Sequence, residues 1–236
     1  DGTGNVTRPE VAIDFEAGVK SALFDRRLVI NANLYRTNLR DFQVSQVVLD
    51  PTTSSGTRSV IGNAKKVVLQ GLELDGSYQP LSSLTLRFGA AIGKSVYDDY
   101  KDAPCPTDLA ATVATTCDYS GRQLPGAPKR SGNLGIDYNR PLAGGYLFHT
   151  NINDTYSSAQ NVALNLSESG WEPARNIVDF GIGLGLQNGK YDLSLAAKNL
   201  FDKKYAVDIS SFSTTSAVSK RWGDRRFVGL TLRAKL

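Results

Sequence analysis

No stretch of this chain approaches the roughly 20 consecutive apolar residues that a membrane-spanning helix requires, so any passage through a bilayer falls to strands, which need only about 9 to 11 residues each. The 236 residues contain no methionine and one histidine, His149. An open reading frame begins with Met and no signal-like segment opens the chain, so residues 1–236 are expected to be a mature or truncated piece of a longer protein. No run of five basic residues occurs and the formal net charge of +4 is spread along the chain, which argues against nucleic acid as a partner. There is no GxSxG and no metal-ligand cluster, and nucleophile, base and orienter cannot be assembled. No catalytic residue, cofactor or metal site is expected.

Cysteine is scarce as well. Cys105 and Cys117 lie in PCPTDLAATVATTCDY, a segment rich in Pro and Thr and without strand periodicity. Metal binding would want His or further Cys nearby, and His149 is in a different element. A disulfide in an exposed loop is therefore expected, which places the loop in an oxidising compartment.

What the chain has is alternation. In FVGLTLRAKL, residues 227–236, Val228, Leu230, Leu232, Ala234 and Leu236 fall on one face, and Gly229, Thr231, Arg233 and Lys235 on the other. The same period runs through 12–23, 28–37, 67–78, 84–96, 133–138, 146–156, 177–186 and 191–199. Short turns join these in pairs at 24–27, 79–83, 140–145 and 187–190, the last carrying the Asn188-Gly189 hairpin signal. Between pairs lie 45–62, 97–130, 157–173 and 200–224, which are rich in Ser, Thr, Pro, Asp and Gly and too long for ordinary hairpin loops.

Short turns at one end and long loops at the other is the asymmetry of an outer-membrane barrel, with the periplasm on the short side. Tyr78, Tyr138, Tyr146 and Tyr191 stand on the apolar face beside short turns, where an interfacial girdle belongs. The opposite face carries Asp14, Glu16, Lys20, Asn31, Asn33, Arg87, Asp137, His149, Asn151, Asn153, Asp179, Asp192, Lys198, Arg233 and Lys235, interleaved with glycines. So many polar groups could not be buried in a dry sandwich without a large desolvation cost, so this face should meet water or a polar filling. The expected fold is all-β, an antiparallel up-and-down transmembrane β-barrel segment. Nine strands cannot close with every neighbour antiparallel, and free edges do not face lipid, so nine is read as the end of a larger barrel.

Five runs carry a family resemblance: RPEVAIDFEAGVKS at 8–21, NAKKVVLQGLELDGSYQPL at 63–81, PGAPK at 125–129, NLFDKKY at 199–205 and the closing GDRRFVGLTLRAKL. In order, spacing and placement at strand ends they resemble the C-terminal barrel of a TonB-dependent outer-membrane receptor, across nearly all of residues 1–236. The resemblance implies a 22-stranded barrel of which these are the last nine strands, filled by a plug that, with its TonB-contacting box, is not among these residues. It also implies a Gram-negative outer-membrane location and TonB-energised import of a scarce, bulky ligand such as a ferric siderophore. The implied partners are outer-membrane lipid, TonB acting through the plug, the remaining strands and the extracellular ligand. One departure is Leu236, where the family usually ends in an aromatic residue. A passive porin and a soluble carbohydrate-binding β-protein are the rival readings.

Aromatic and cationic side chains in the long loops suit a large ligand, since they offer stacking area and charge at little entropic cost. The candidates are Tyr97, Tyr100, Tyr119 and Arg122, then Trp171 and Arg175, then Phe212, Arg221 and Trp222. The plainer reading is that Trp171 and Trp222 pack their own loops or anchor at the outer interface.

Overall fold

A computed structural model describes residues 7–50, 52–53, 57–106, 116–211 and 218–235. Nine strands form one antiparallel sheet in chain order: β1 (Val11–Leu23), β2 (Leu28–Leu49), β3 (Thr57–Leu81), β4 (Leu84–Asp99), β5 (Arg130–Pro141), β6 (Tyr146–Ser157), β7 (Arg175–Leu186), β8 (Tyr191–Lys198) and β9 (Phe227–Ala234). Each strand pairs only with its chain neighbours within the sheet, and β1 and β9 are its two edges. Among the described residues no helix is long and apolar enough to cross a membrane, which says nothing of strands.

Residues directly opposed in an antiparallel ladder share a face, so the register tests the expected faces. Asp14 stands opposite Thr37, Asn31 lies between Lys20 and Asp75, Asn153 faces Asp179, and Asp192 faces Arg233. The polar face is therefore continuous across the sheet. Three of its carboxylates are met by neighbours: Asp137 pairs with Arg87, Asp179 lies 2.8 Å from Lys198 Nζ, and Asp192 lies 2.6 Å from His149 Nε2. Glycines leave room for these polar side chains: a Cβ at Gly135 would stand 3.0 Å from Asn153 Oδ1, and one at Gly183 would collide with the His149 ring. On the other face Phe15, Leu184, Leu195, Leu230 and Leu232 are exposed.

The short connections close as expected. Residues 24–27 turn with Phe24, Asp25 and Arg26 all at positive φ, the Arg27 N–H donating to the Phe24 carbonyl at 3.0 Å. In the 187–190 turn, Gly189 takes φ 71°, a conformation glycine adopts without steric cost. Register places Tyr78 opposite Leu28 and Leu86, Tyr138 opposite Leu84, Tyr146 opposite Leu186 and Tyr191 opposite Ala234. All four tyrosines thus stand on the apolar face beside short turns.

The expected loop over 45–62 is largely strand. β2 and β3 stay paired from Gln43 opposite Asn63 to Leu49 opposite Thr57, leaving 50–56 as the connection. Here the hairpin projects past the strands on either side, and among its described side chains Val44, Gln46, Val60 and Gly62 are half-buried on one face while Ser45 and Ile61 are exposed on the other. With Gln46 and Gly62 on the covered face and Ile61 on the open one, residue type does not follow burial and leaves no period of two to read. Tyr97, expected in a loop, is likewise on β4, opposite Val67. Leu236 lies outside the described residues.

Candidate ligand site

At the end of the sheet opposite the short turns, the polar face becomes apolar. Leu39, Val67 and Tyr97 are in register on the side that carries Asp14 and Glu73 further down. Tyr97, Tyr100 and Tyr119 are 2%, 5% and 4% exposed, with ring centroids 5.1, 5.8 and 6.3 Å apart, and they pack with Ala64, Val67, Ala103 and Leu166 into a core. The Tyr119 hydroxyl donates to the Asn165 carbonyl at 2.7 Å, and Gln46 on the projecting hairpin donates to the Tyr100 hydroxyl. Burial pushes the Tyr97 phenol well above its usual range, with Tyr100 adding to it. Cys105 and Cys117 are joined as a disulfide, and Cys117 packs against this core.

These three tyrosines therefore build a cap and do not offer ring faces to a ligand. A loop made mostly of small polar residues has few side chains large enough to form a core, and its tyrosines fill that role. Two other candidates come together beside the cap. Arg122, its guanidinium 5.3 Å from the Tyr119 ring centre, and Trp171, 48% exposed, line a cavity of about 460 Å³. One wall is the upper edge of β4 with residues 121–129; the Gly93 and Tyr97 N–H groups donate to the Lys129 and Arg122 carbonyls, both at 3.0 Å. The other wall is the β6–β7 connection, docked by the Gly126 N–H on the Asn161 carbonyl at 2.8 Å. Lys94, Lys129 and Glu168 also line it; Lys129 is a loop cation that the candidates passed over, whereas Lys94 is on a strand and Glu168 is acidic, so neither fits a search for loop aromatics and cations.

The remaining candidates form a second group. Arg175 opens β7 and stacks over Tyr205 at 4.6 Å. Trp222, 44% exposed, is flanked by Lys204 and Lys220 at 4.1 and 5.8 Å from its ring centre, and Arg221 stands opposite Asp208. Phe212 lies outside the described residues. Ala206 and Ile209, on the short strand Ala206–Ser211 that pairs with Val218–Trp222, pack on Val162 and Ala163, so the two groups are joined through the β6–β7 connection.

At the base of the second group, two of the runs quoted above meet. Arg225 grips Asp202 through Nε at 2.7 Å and Nη2 at 2.5 Å, and Asn199 Nδ2 donates to the Lys203 and Asp224 carbonyls, both at 2.9 Å. The Arg225 guanidinium holds the Asp202 carboxyl far below the usual carboxylate range. NLFDKKY and GDRRF are thus the two halves of one clamp closing the last long connection, and their spacing in the chain gives no hint of it.

A family model for the TonB dependent receptor-like β-barrel matches residues 2–200. The chain belongs to that family. The family is one of transport receptors, not of enzymes. Among solved structures, the ferric yersiniabactin uptake receptor FyuA from Yersinia pestis superposes with a TM-score of 0.73 at 16% identity, covering 95% of this chain and 30% of that one. The siderophore receptor PiuA from Acinetobacter baumannii gives 0.66 at 20%, with 94% and 28% covered, and the copper transporter OprC gives 0.68 at 16%, with 97% and 31% covered. At such identities the likeness is one of fold. The chain spans less than a third of the length of each of these receptors, and its nine-strand sheet is a segment of the TonB-dependent receptor barrel.

Proposed function

We propose that residues 1–236 are the C-terminal portion of the barrel of an outer-membrane receptor that captures a scarce, bulky ligand at its extracellular mouth and imports it with energy delivered by TonB. The cargo is a ferric siderophore. The observation that carries the reading is the unbroken sheet with an exposed apolar face and a charged, glycine-rich face, eight of whose nine strands lie within residues 2–200 matched by the receptor family. The apolar face meets lipid, and the polar face lines a lumen occupied by a plug contributed by the rest of the receptor. FyuA and PiuA, whose fold this chain shares, take up ferric yersiniabactin and act as a siderophore receptor respectively, and they supply the cargo class.

In this reading the cap shapes the mouth while Arg122 and Trp171 contact the ligand, with Arg175, Arg221 and Trp222 on the second group of loops. The test is accumulation of radioactive iron by cells expressing the full-length receptor, with and without TonB. Uptake of a ferric siderophore that vanishes without TonB is the expected result. Uptake that persists without TonB marks a passive porin, and a chain that stays dissolved and folded without detergent marks a soluble protein.

A further inference from the structure

We infer that the outward, apolar face of β2 to β5 carries, near its loop end, a site for the phosphate groups of an outer-leaflet lipid, built from Arg36, Lys94 and Arg130. This concerns the outside of the barrel and not its mouth, and it rests on the import reading only for placing this face in an outer membrane. In register, Phe15, Arg36, Gln70 and Lys94 stand side by side, and the next row carries Leu34, Leu72, Ile92 and Arg130. Both are rows of the apolar face, opposite the side of Asp14, Glu73 and Tyr97. Each cation lies eight residues from the level of the tyrosines: Arg36 from Leu28 and Lys94 from Leu86, both opposite Tyr78, and Arg130 from Tyr138. At about 3.4 Å per residue and a tilt of about 40°, that is about 20 Å of height. The outward apolar band of such a barrel is about 25 Å tall, so long cationic side chains starting there reach its upper border, where charge on this face costs little.

The three side chains are exposed and span three strand spacings, about 14 Å. Among the described residues none of them is in an ion pair. Asp98, which also feels Arg36 and Lys94, is held by Lys66 Nζ at 2.7 Å, and Asp154, eight residues from Tyr146 on β6, accepts from Asn176 Nδ2 at 3.1 Å. Arg36 Nη1 donates to Gln70 Oε1 at 2.6 Å, which holds its guanidinium against the sheet. The missing counter-charge has to come from what this face touches, and at the border of a bilayer that is the headgroup layer. Phosphate suits these residues: Arg takes it with two parallel hydrogen bonds and Lys as a point charge.

The experiment titrates purified full-length receptor in detergent with diphosphoryl lipid A and with the same acylated disaccharide stripped of its phosphates, and reads bound lipid by native mass spectrometry. Retention of the phosphorylated lipid at about tenfold lower concentration, or better, is expected. That preference should collapse in the Arg36→Gln, Arg130→Gln double variant, which alters exposed side chains only, and persist in Arg233→Gln on the polar face. Equal retention of the two lipids by the unaltered receptor overturns the inference, and this arm needs no variant to fold. A preference indifferent to the double variant, or lost equally in Arg233→Gln, overturns it as well. Inorganic pyrophosphate that displaces the lipid at equal concentration would mark a site for free phosphate and overturn the assignment to lipid. The expected preference with iron uptake that persists without TonB leaves the inference standing and removes the import reading. TonB-dependent uptake without the preference does the reverse, and a chain that stays folded without detergent and binds neither lipid removes both.

Discussion

The sheet and the cap are held together by opposite means. Across the sheet, backbone ladders fix each strand to its neighbours while Leu230 and Leu232 stand 70% and 71% exposed, so its side chains need a solvent of their own. In the cap the three tyrosines are buried to 5% exposure or less, and a disulfide and side-chain hydrogen bonds do what ladders do below. On the receptor reading the apolar face of the sheet is satisfied by lipid, whereas a loop above the membrane has water around it and must build a core from its own residues. The cavity lined by Arg122 and Trp171 lies where the second kind of order rests on the first.

The sharpest way to break this contrast is Tyr97→Ala. Removing a buried aromatic of this size costs about 3 to 5 kcal/mol. The loss should appear as protease sensitivity of 100–130 and weakened ligand binding, with the detergent-resistant barrel intact. A barrel that melts together with the cap would show one cooperative unit in place of two.

Ile182→Arg attacks the sheet instead. Ile182 is in the middle of β7 on the apolar face, and arginine there should cost about 2 to 4 kcal/mol at the bilayer midplane. Denaturant titration in lipid reads the loss, and a nitroxide at the same position should be quenched by lipid-soluble and not by water-soluble relaxants. A cost near zero would show that this face does not meet lipid.

Replacing both Cys105 and Cys117 by Ser reopens a loop of about a dozen residues, worth about 3 kcal/mol of ordering in the chain-entropy model. Hydrogen exchange should quicken in 100–122 and stay unchanged in β5 to β9. Thiols that label freely in the native protein without reductant would remove the bridge.

The smallest effect is the Asp202–Arg225 clamp. The folded carboxyl titrates below its unfolded value of about 4, so its contribution is fully present above that pH and is lost as pH falls through the depressed folded value. Asp202→Asn should abolish this acid dependence of exchange in 199–226 and leave the cap untouched. For Tyr97 the sign is reversed. Its raised phenol stabilises the cap fully below about pH 10, and that stability fades as pH climbs toward the folded value.

How legible each feature was follows from how local its cause is. Strand number, facing and turns were readable because one wet and one dry face force a period of two on each strand by itself, and Asn188-Gly189 needs only its own backbone to turn. The projecting part of the β2–β3 hairpin was not readable, since Gln46 sits on its covered face and Ile61 on its open one, so residue type does not report the facing. The disulfide was inferred from the scarcity of other partners for Cys105 and Cys117.

For the candidate site, residue type alone picked out Arg122 and Trp171, because charge and ring area have the same chemistry wherever they stand. Only the tertiary structure decided that Tyr97, Tyr100 and Tyr119 are interior, that Arg122 and Trp171 line one cavity, and that Asp202 closes on Arg225. Those outcomes depend on which distant segments touch, and a contact between segments far apart in the chain leaves no periodic trace in either of them.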